Sequence, residues 1–166
     1  MKLLKVILVM TLIALVAVAA YISAGTGDGG KAMGNAPNFM LTDTDNNSFS
    51  LLDFRGKVVV LDLMATWCGP CVHEISQLKE VQQHYTNNII ILSISVGGES
   101  VRELEDFKNE QGATWRFAVD TDDVATKYGV LYIPKIIIID KNGNIAFTNE
   151  GLTSSATLIE KIDELL

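Results

Sequence analysis

A run of apolar, mostly β-branched residues that passes directly into a Cys-Gly-Pro-Cys segment constrains the fold of this chain most. Residues 57–64 read KVVVLDLM, which is typical of a strand that is buried on both faces of a sheet. After it, apolar residues recur at helical spacing, at Cys71, Ile75, Leu78 and Tyr85. The sequence therefore predicts a buried strand that turns directly into a helix, with Cys68 at the amino terminus of the helix and Cys71 one turn inside.

The remaining patterns predict an α/β fold with a central sheet flanked by helices. Segments 39–41 and 48–50 flank a cluster of Asp and Asn residues that favour a tight turn, so we expect an N-terminal β-hairpin extension. A capping-box sequence at Ser100 opens a helix. Asn142-Gly143 predicts an antiparallel hairpin. The predicted order is hairpin, βαβα, then ββα, with further strands at 88–96, 136–139 and 145–147 and a last helix from about residue 154.

The amino-terminal segment, residues 1–24, predicts a membrane anchor or a signal segment. Residues 6–24 carry no charge and are long enough to cross a bilayer as one helix, and Lys2 and Lys5 precede them. The positive-inside rule then predicts a single-pass protein of the cell membrane, with its amino terminus inside and its body extracytoplasmic. Alternatively, the small residues around Ala19 mark a signal-peptide cleavage site, and the protein is secreted.

A glycine-rich segment, residues 25–36, follows and predicts a flexible linker to one folded domain, residues 37–166. The chain of 166 residues has 13 basic and 20 acidic side chains, and none of the acids lies in residues 1–24. A body this acidic repels phosphate backbones, which argues against a nucleic-acid partner. Proteins are the expected partners.

The two cysteines, Cys68 and Cys71, form the strongest candidate for chemistry. Two intervening residues keep the sulfurs within disulfide reach, so the pair can switch between dithiol and disulfide without refolding. The helix amino terminus favours the thiolate of Cys68, whereas Cys71 faces the core. A structural zinc site is the main alternative, but it needs two further ligands, and the chain has neither a second cysteine pair nor a zinc-finger histidine spacing.

The segment VVVLDLMATWCGPC resembles the active-site segment of thioredoxins, and residues from about 35 to 166 resemble the membrane-anchored TlpA/ResA-like branch of that superfamily. Further matching segments are Ala36-Pro37-Asn38-Phe39, Arg55-Gly56-Lys57, Tyr128-Gly129-Val130, Ile133-Pro134 and residues 139–143. The resemblance implies a thioredoxin-like fold with a mixed sheet. It also implies thiol-disulfide exchange without a cofactor or a metal.

Two carboxylates gain candidate catalytic roles from this resemblance. Asp62 lies six residues before Cys68, on the strand face that Val58, Val60 and Met64 share, and it matches the buried aspartate that takes a proton from the second cysteine. Its alternative is an acid at a strand end that reaches water. Glu74 matches an acidic position of TlpA/ResA-like proteins, although a first-turn helix carboxylate is an equally good interpretation. The proton acceptor therefore stays open between the two.

The resemblance also implies a substrate-binding set around the dithiol, namely Trp67, Gly69, Pro70, Ile133 and Pro134. It predicts a cis bond between Ile133 and Pro134, which would leave the Ile133 backbone free to pair with an extended partner. A trans proline at a strand entrance is the commoner alternative. The chain departs from the family pattern at three positions, with Met64 for an aromatic residue, Ser76 for a helix proline and Lys135 for a small residue such as threonine. Lys135 is expected to place a cation near the partner groove.

The function that we favour is reduction of disulfides in extracytoplasmic proteins, with electrons from a membrane donor. The Gly-Pro dipeptide lacks the histidine that strongly oxidising relatives place between their cysteines. Preparation of apocytochrome c for haem attachment is one task that the family implies. The alternatives are a disulfide-forming oxidase, a dithiol metal carrier, and a peroxidase, which would need a threonine where Ala65 stands.

Overall fold

Seven strands and four α-helices make up the part of the chain that the computed structural model describes, residues 33–86 and 88–166. The strands are β1 (Met40–Thr42), β2 (Ser48–Ser50), β3 (Val58–Met64), β4 (Ile89–Ser95), β5 (Arg116–Val119), β6 (Lys135–Ile139) and β7 (Ile145–Glu150). The helices are α1 (Gly69–Tyr85), α2 (Val101–Glu110), α3 (Val124–Lys127) and α4 (Ser155–Asp163), and a 3-10 turn spans Leu51–Phe54.

Five of the strands form one mixed sheet in the order β5-β4-β3-β6-β7. The strands β3, β4 and β5 run parallel, whereas β6 is antiparallel to β3 and β7 is antiparallel to β6. The short strands β1 and β2 pair separately as an antiparallel hairpin. The predicted N-terminal hairpin, the central mixed sheet and the hairpin across Asn142-Gly143 are thereby confirmed.

The central strand β3 divides the core into two layers, because its side chains alternate between the faces of the sheet. All seven of its residues are buried. Val58, Val60 and Met64 face the apolar sides of α1, α2 and α4. Val59, Leu61 and Leu63 face the hairpin and α3 instead. Since β3 has a hydrogen-bonded neighbour on each side, the loop after Met64 starts from a fixed point in the middle of the fold.

The structure adds two elements to the predicted order. Strand β5 has only four residues and starts with a half-buried arginine, so it lacks the long apolar run that marks β3. Helix α3 is also only four residues long, too short to show a helical period. Both follow α2 and lie between the helix that opens at Ser100 and the strand at 136, where the sequence predicted no element.

The folded part of the chain also begins earlier than the predicted linker ends. Within residues 33–36, Met33 and Ala36 donate backbone hydrogen bonds to Ile145 and Gly143, and the carbonyl of Gly34 accepts one from Ile145. These bonds attach the segment to the β6–β7 hairpin. No helix among the described residues is long and apolar enough to cross a membrane. The predicted anchor at 6–24 and residues 25–32 of the linker lie outside the described residues.

A glycine in the loop after β4 allows this loop to pack against the end of β3. A Cβ atom added at Gly97 would lie 2.6 Å from the Cβ of Ala65, whereas one added at Gly69 meets no atom within 4 Å. We therefore expect Gly97→Ala to lower the free energy of unfolding by about 1–3 kcal/mol. Gly69→Ala should change it by less than about 0.5 kcal/mol. Urea unfolding of both variants measures the difference, and equal stabilities would contradict this packing.

Candidate active site

Cys68 and Cys71 lie where the predicted strand-to-helix turn places them. Cys68 is the N-cap residue of α1, and Cys71 lies in the first turn, with 5.2 Å between their Cα atoms. The two sulfurs are joined as a disulfide. Only 7% of Cys68 is exposed, and Cys71 is fully buried. A partner can therefore reach the pair only through Cys68.

The start of α1 supplies the electrostatics that favour a thiolate on Cys68. The backbone N–H of Cys71 donates to the Sγ atom of Cys68 at 3.2 Å. The first N–H groups of a helix have no partner within the helix, and the helix dipole adds a positive partial charge at this end. After reduction, these groups stabilise the anionic sulfur and make Cys68 the better nucleophile and leaving group.

The Ile133-Pro134 segment lies opposite the cysteines. Its peptide bond is cis, as the resemblance implied. The Sγ atom of Cys68 lies 3.8 Å from the backbone oxygen of Ile133. Pro134 is buried and Ile133 is half-buried. A carbonyl of the chain therefore lies beside the reactive sulfur.

Asp62 is a fully buried carboxyl group on β3, on the face that packs against α1. Its Oδ2 atom accepts a hydrogen bond of 2.7 Å from the Ser93 hydroxyl, which itself accepts one from the Trp115 indole N–H. Its Oδ1 atom has no hydrogen-bond partner among the described residues. The alternative of a solvated strand-end acid is therefore wrong for Asp62.

Glu74 is buried as well, in the second turn of α1 rather than the first. Its Oε2 atom accepts a 2.8 Å hydrogen bond from the backbone N–H of Thr153, in the loop between β7 and α4. Its Oε1 atom has no partner among the described residues. The interpretation of Glu74 as a first-turn helix carboxylate is thus wrong, because this side chain lies one turn further along α1 and is buried.

Burial raises the pKa values of both carboxyl groups towards 7. Desolvation raises the pKa of Asp62 to about 7, against the hydrogen bond from Ser93, and the nearby charge of Glu74 raises it further. Desolvation likewise raises the pKa of Glu74 to about 7, although the bond from Thr153 lowers it. Two carboxyls with pKa values near 7, one of which responds to the charge of the other, can hold or release a proton under physiological conditions.

Exposed apolar side chains surround the nearly buried Cys68. Trp67 is 70% exposed, and Gly69 and Pro70 are exposed at the start of α1. Leu131 and Tyr132, just before Ile133, are 79% and 72% exposed. Sequence reasoning missed Leu131 and Tyr132, although two large apolar residues directly before the predicted Ile-Pro pair were a usable signal. Exposed apolar side chains beside a reactive sulfur suit contact with a polypeptide.

Glu99 holds the loop that leads into Cys68, a role with no sequence signal. Its Oε1 atom accepts hydrogen bonds from the backbone N–H of Thr66 at 2.6 Å and from the Thr66 hydroxyl at 3.0 Å. Its Oε2 atom accepts one from Ser95. Burial would raise the pKa of Glu99, but the hydrogen bonds from Ser95 and Thr66 outweigh it and lower the pKa. An ionised carboxylate therefore fixes the residue before Trp67.

Lys135 lies away from the partner groove, contrary to the expectation from its place after Pro134. Residues 136 and 138 of β6 face α1, so by strand alternation Lys135 belongs to the opposite face with 137 and 139. Its ammonium group donates to the backbone oxygens of Tyr128 and Gly129 and to Glu150. The expected cation is thus bound within the fold.

Neither a metal cluster nor a deep cavity marks this site. Among residues 33–86 and 88–166, no three His, Cys, Asp or Glu side chains lie together in a metal-binding arrangement. A cavity of about 360 Å³ lies elsewhere, lined among others by Asp43, Gln82 and Arg116 and by none of the candidate site residues. The site is a nearly buried disulfide beside exposed apolar side chains, which suits a protein substrate.

Comparison with known proteins identifies the family. The profile of the AhpC/TSA family matches residues 33–148, so the chain belongs to this thioredoxin-like family. The thiol-disulfide oxidoreductase ResA of Geobacillus thermodenitrificans is 32% identical over 164 residues, which cover 97% of this chain and 94% of that protein. With a Cys68–Cys71 pair at the start of α1, the chain is a thiol-disulfide oxidoreductase of the ResA type.

Solved structures agree in fold. A candidate protein disulfide isomerase from Bacteroides thetaiotaomicron superposes with a TM-score of 0.74 and 26% identity, over 82% of this chain and 90% of that one. A candidate thiol:disulfide interchange protein DsbE from Chlorobium tepidum gives 0.73 and 25%, over 82% and 99%. The thioredoxin-like fold that the sequence predicted is confirmed.

The buried acids predict a measurable effect of pH on stability. The pKa of Asp62 is higher in the folded than in the unfolded chain, so the folded state binds more protons and loses stability as pH rises from about 4 to about 7. We expect Asp62→Asn to remove much of this loss and to raise the free energy of unfolding at pH 8 by about 2–4 kcal/mol relative to wild type.

Urea unfolding of the reduced proteins between pH 4 and pH 8 tests this prediction. The matched control is Glu105→Gln, which removes an exposed carboxylate on α2 and should leave the pH dependence of wild type. Parallel pH curves for wild type and Asp62→Asn would show that Asp62 is not held at a raised pKa.

Proposed function

We propose that this protein is anchored in the cell membrane and reduces disulfides of extracytoplasmic proteins. The observation that carries the proposal is the pairing of a reachable Cys68 at a helix amino terminus with a fully buried Cys71, on the side of the sheet that also carries the buried Asp62 and Glu74. This arrangement gives the two sulfurs different roles. Cys68 attacks a partner, and Cys71 completes the exchange from within.

The exchange proceeds in two displacements. The Cys68 thiolate attacks one sulfur of the partner disulfide, which forms a mixed disulfide and releases the other partner sulfur as a thiolate. Cys71 then loses its proton and attacks the Sγ atom of Cys68, which closes the Cys68–Cys71 disulfide and releases the second partner sulfur. The partner gains two electrons, and the enzyme dithiol loses them.

Asp62 is the group to which we assign the proton of Cys71, with Glu74 setting its basicity. The support is electrostatic, because the charge of Glu74 helps to raise the pKa of Asp62 towards neutrality. A carboxylate with a pKa near the working pH is both available and basic enough to accept a proton. The Thr153 N–H holds Glu74, so this influence comes from a fixed position.

A reducing direction agrees with the contacts of the Cys68 sulfur, which among the described residues are the Cys71 N–H and the Ile133 carbonyl and not a cation. A positive charge next to this sulfur would stabilise the reduced enzyme and make it an oxidant. The cation nearest in sequence to Pro134, Lys135, is bound to Tyr128, Gly129 and Glu150 instead. A disulfide-forming oxidase is the alternative, and the reduction potential separates the two.

The membrane location is supported by the uncharged residues 6–24 behind Lys2 and Lys5. The alignment with ResA also extends over 97% of the chain and therefore into this segment. On this basis the domain works outside the cytoplasm, where disulfides form, and a membrane protein must return electrons to Cys68 and Cys71 after each cycle. An apocytochrome c with paired cysteines is one partner of fitting chemistry.

The first test is the reduction potential of the Cys68/Cys71 pair, measured on the full chain in detergent against a dithiothreitol series. We expect a value near ~−270 mV or lower, as for a thioredoxin-type reductant. Pro70→His adds a cation beside Cys68 and should raise the potential. A wild-type value near ~−120 mV would contradict the reductase and favour the oxidase.

The second test separates the two displacement steps with a peptide that contains one disulfide. Cys71→Ser should accumulate a mixed disulfide with the peptide through Cys68, whereas Cys68→Ser should form none. In the otherwise intact enzyme, Asp62→Asn should slow release of the peptide at pH 7 about 10²-fold, the usual size of a general-base contribution. Rapid acid quenching and non-reducing electrophoresis give both rates.

Glu74→Gln is the matched control for the proton step. It removes the second buried charge but keeps Asp62, so release should persist and its pH midpoint should fall, because Glu74 raises the pKa of Asp62. Release that is slow in Glu74→Gln and normal in Asp62→Asn would assign the proton to Glu74 instead.

A further inference from the structure

The segment between α3 and β6, residues 128–134, forms one side of the site without regular secondary structure. It carries the exposed Leu131 and Tyr132, and it ends with the Ile133 oxygen at 3.8 Å from the Sγ atom of Cys68. Such a segment can take many conformations. Some other part of the fold has to hold it for Leu131 and Tyr132 to meet a partner in a fixed position.

Lys135 connects residues 128 and 129 of this segment to Glu150 on β7. Its ammonium group donates to the backbone oxygens of Tyr128 at 3.0 Å and Gly129 at 2.9 Å, and to Oε1 of Glu150 at 3.2 Å. An ammonium group has three N–H donors, so these acceptors use all of them. The side chain of Lys135 is only 12% exposed, whereas the side chain of an ordinary surface lysine is solvated.

Glu150 completes the connection. It lies directly opposite Lys135 in the register of β6 and β7. Its Oε1 atom also accepts a hydrogen bond of 3.3 Å from the backbone N–H of Leu131. The hydrogen bond from Lys135 lowers the pKa of Glu150, and the one from Leu131 contributes in the same direction. The ion pair therefore touches the segment at three backbone positions, 128, 129 and 131.

The contacts supply hydrogen-bond donors to two backbone carbonyls that follow the end of α3. The short helix α3 ends at Lys127, so the carbonyls of Tyr128 and Gly129 have no place in a helical ladder. A threonine, the usual residue of the family at position 135, has too short a side chain to reach both carbonyls and Glu150. At this position, where the resemblance predicts a small residue, the lysine of this chain is therefore what makes the contacts possible.

We propose that Lys135 and Glu150 are positioning residues that hold residues 128–133 in the conformation that receives a disulfide-containing polypeptide beside Cys68. They lie on the sheet face opposite α1 and the dithiol, so they act through the backbone of the segment and not by contact with the partner. The inference rests on the proposed function for the direction of the exchange but not for the docking of the partner.

The consequence is a selective loss with large substrates. A polypeptide disulfide needs Leu131, Tyr132 and the Ile133 backbone in place, whereas a small aromatic disulfide needs little more than the Cys68 sulfur. When the competent conformation of a segment becomes less populated, the apparent affinity falls by the same factor. Loss of the pair should therefore raise KM for a peptide more than it slows exchange with a small disulfide.

The experiment compares two probes with the full chain in detergent. One is a peptide with a single intramolecular disulfide and apolar flanking residues, and the other is 5,5′-dithiobis(2-nitrobenzoate). Lys135→Met keeps the aliphatic stem and removes the ammonium group, and Glu150→Gln keeps the shape and removes the charge. We expect each variant to lower the ratio of kcat/KM for the peptide to the rate constant for the small disulfide about tenfold, mainly through KM.

Lys108→Met is the matched control. Lys108 is also 12% exposed and forms an ion pair with Asp45, but this pair ties α2 to the β1–β2 turn and touches no site residue. It should keep the wild-type ratio. The double variant of Lys135 and Glu150 should lose no more than about either single variant, because both act through one connection.

Two results would overturn the proposal. They are a wild-type ratio in both Lys135→Met and Glu150→Gln, and an equal loss with the two probes, which would show a general structural role. If wild type turns out to oxidise rather than reduce the peptide, the proposed function is wrong. The corresponding ratio is then measured with oxidised enzyme, with the peptide dithiol as the large probe and dithiothreitol as the small one. The positioning role is thereby tested in either direction.

Discussion

The arrangement of this site depends on the desolvation of two carboxyl groups, one on β3 and one on the helix that begins at the cysteine pair. Asp62 and Glu74 are buried on neighbouring elements, and each has one carboxylate oxygen without a hydrogen-bond partner among the described residues. A buried charge of this kind costs stability, which folds tolerate where a function requires it. Both acids lie on the α1 side of the sheet, and the central position of β3 fixes Asp62 there.

The sequence predicts the chemical centre well because local rules determine it. A buried strand followed by a capped helix places Cys68 and Cys71, and alternation along β3 places Asp62 on the α1 face. The burial of Glu74 was harder to predict, because its position in the helix does not show that the loop at Thr153 packs against it and donates a hydrogen bond to it. Its burial is a tertiary contact between residues 79 positions apart.

The supporting contacts could not be predicted, because they join distant segments through single side chains. Glu99 reaches back 33 positions to Thr66, and Lys135 and Glu150 meet only because β6 and β7 pair in one register. The sequence suggested that Lys135 would place a charge in the partner groove. Strand alternation places it on the other face, where three acceptors hold it.

This division between the faces of the sheet separates two properties of the site. The α1 face carries the sulfurs and the acids, so substitutions there change potentials and proton transfer. On the other face, Lys135 and Glu150 contact only the backbone that leads to Ile133, so substitutions there alter how a polypeptide fits beside Cys68. Residues that never touch the dithiol can therefore change how a polypeptide fits, because the segment that Lys135 and Glu150 hold at residues 128, 129 and 131 continues to the Ile133 oxygen beside the Cys68 sulfur.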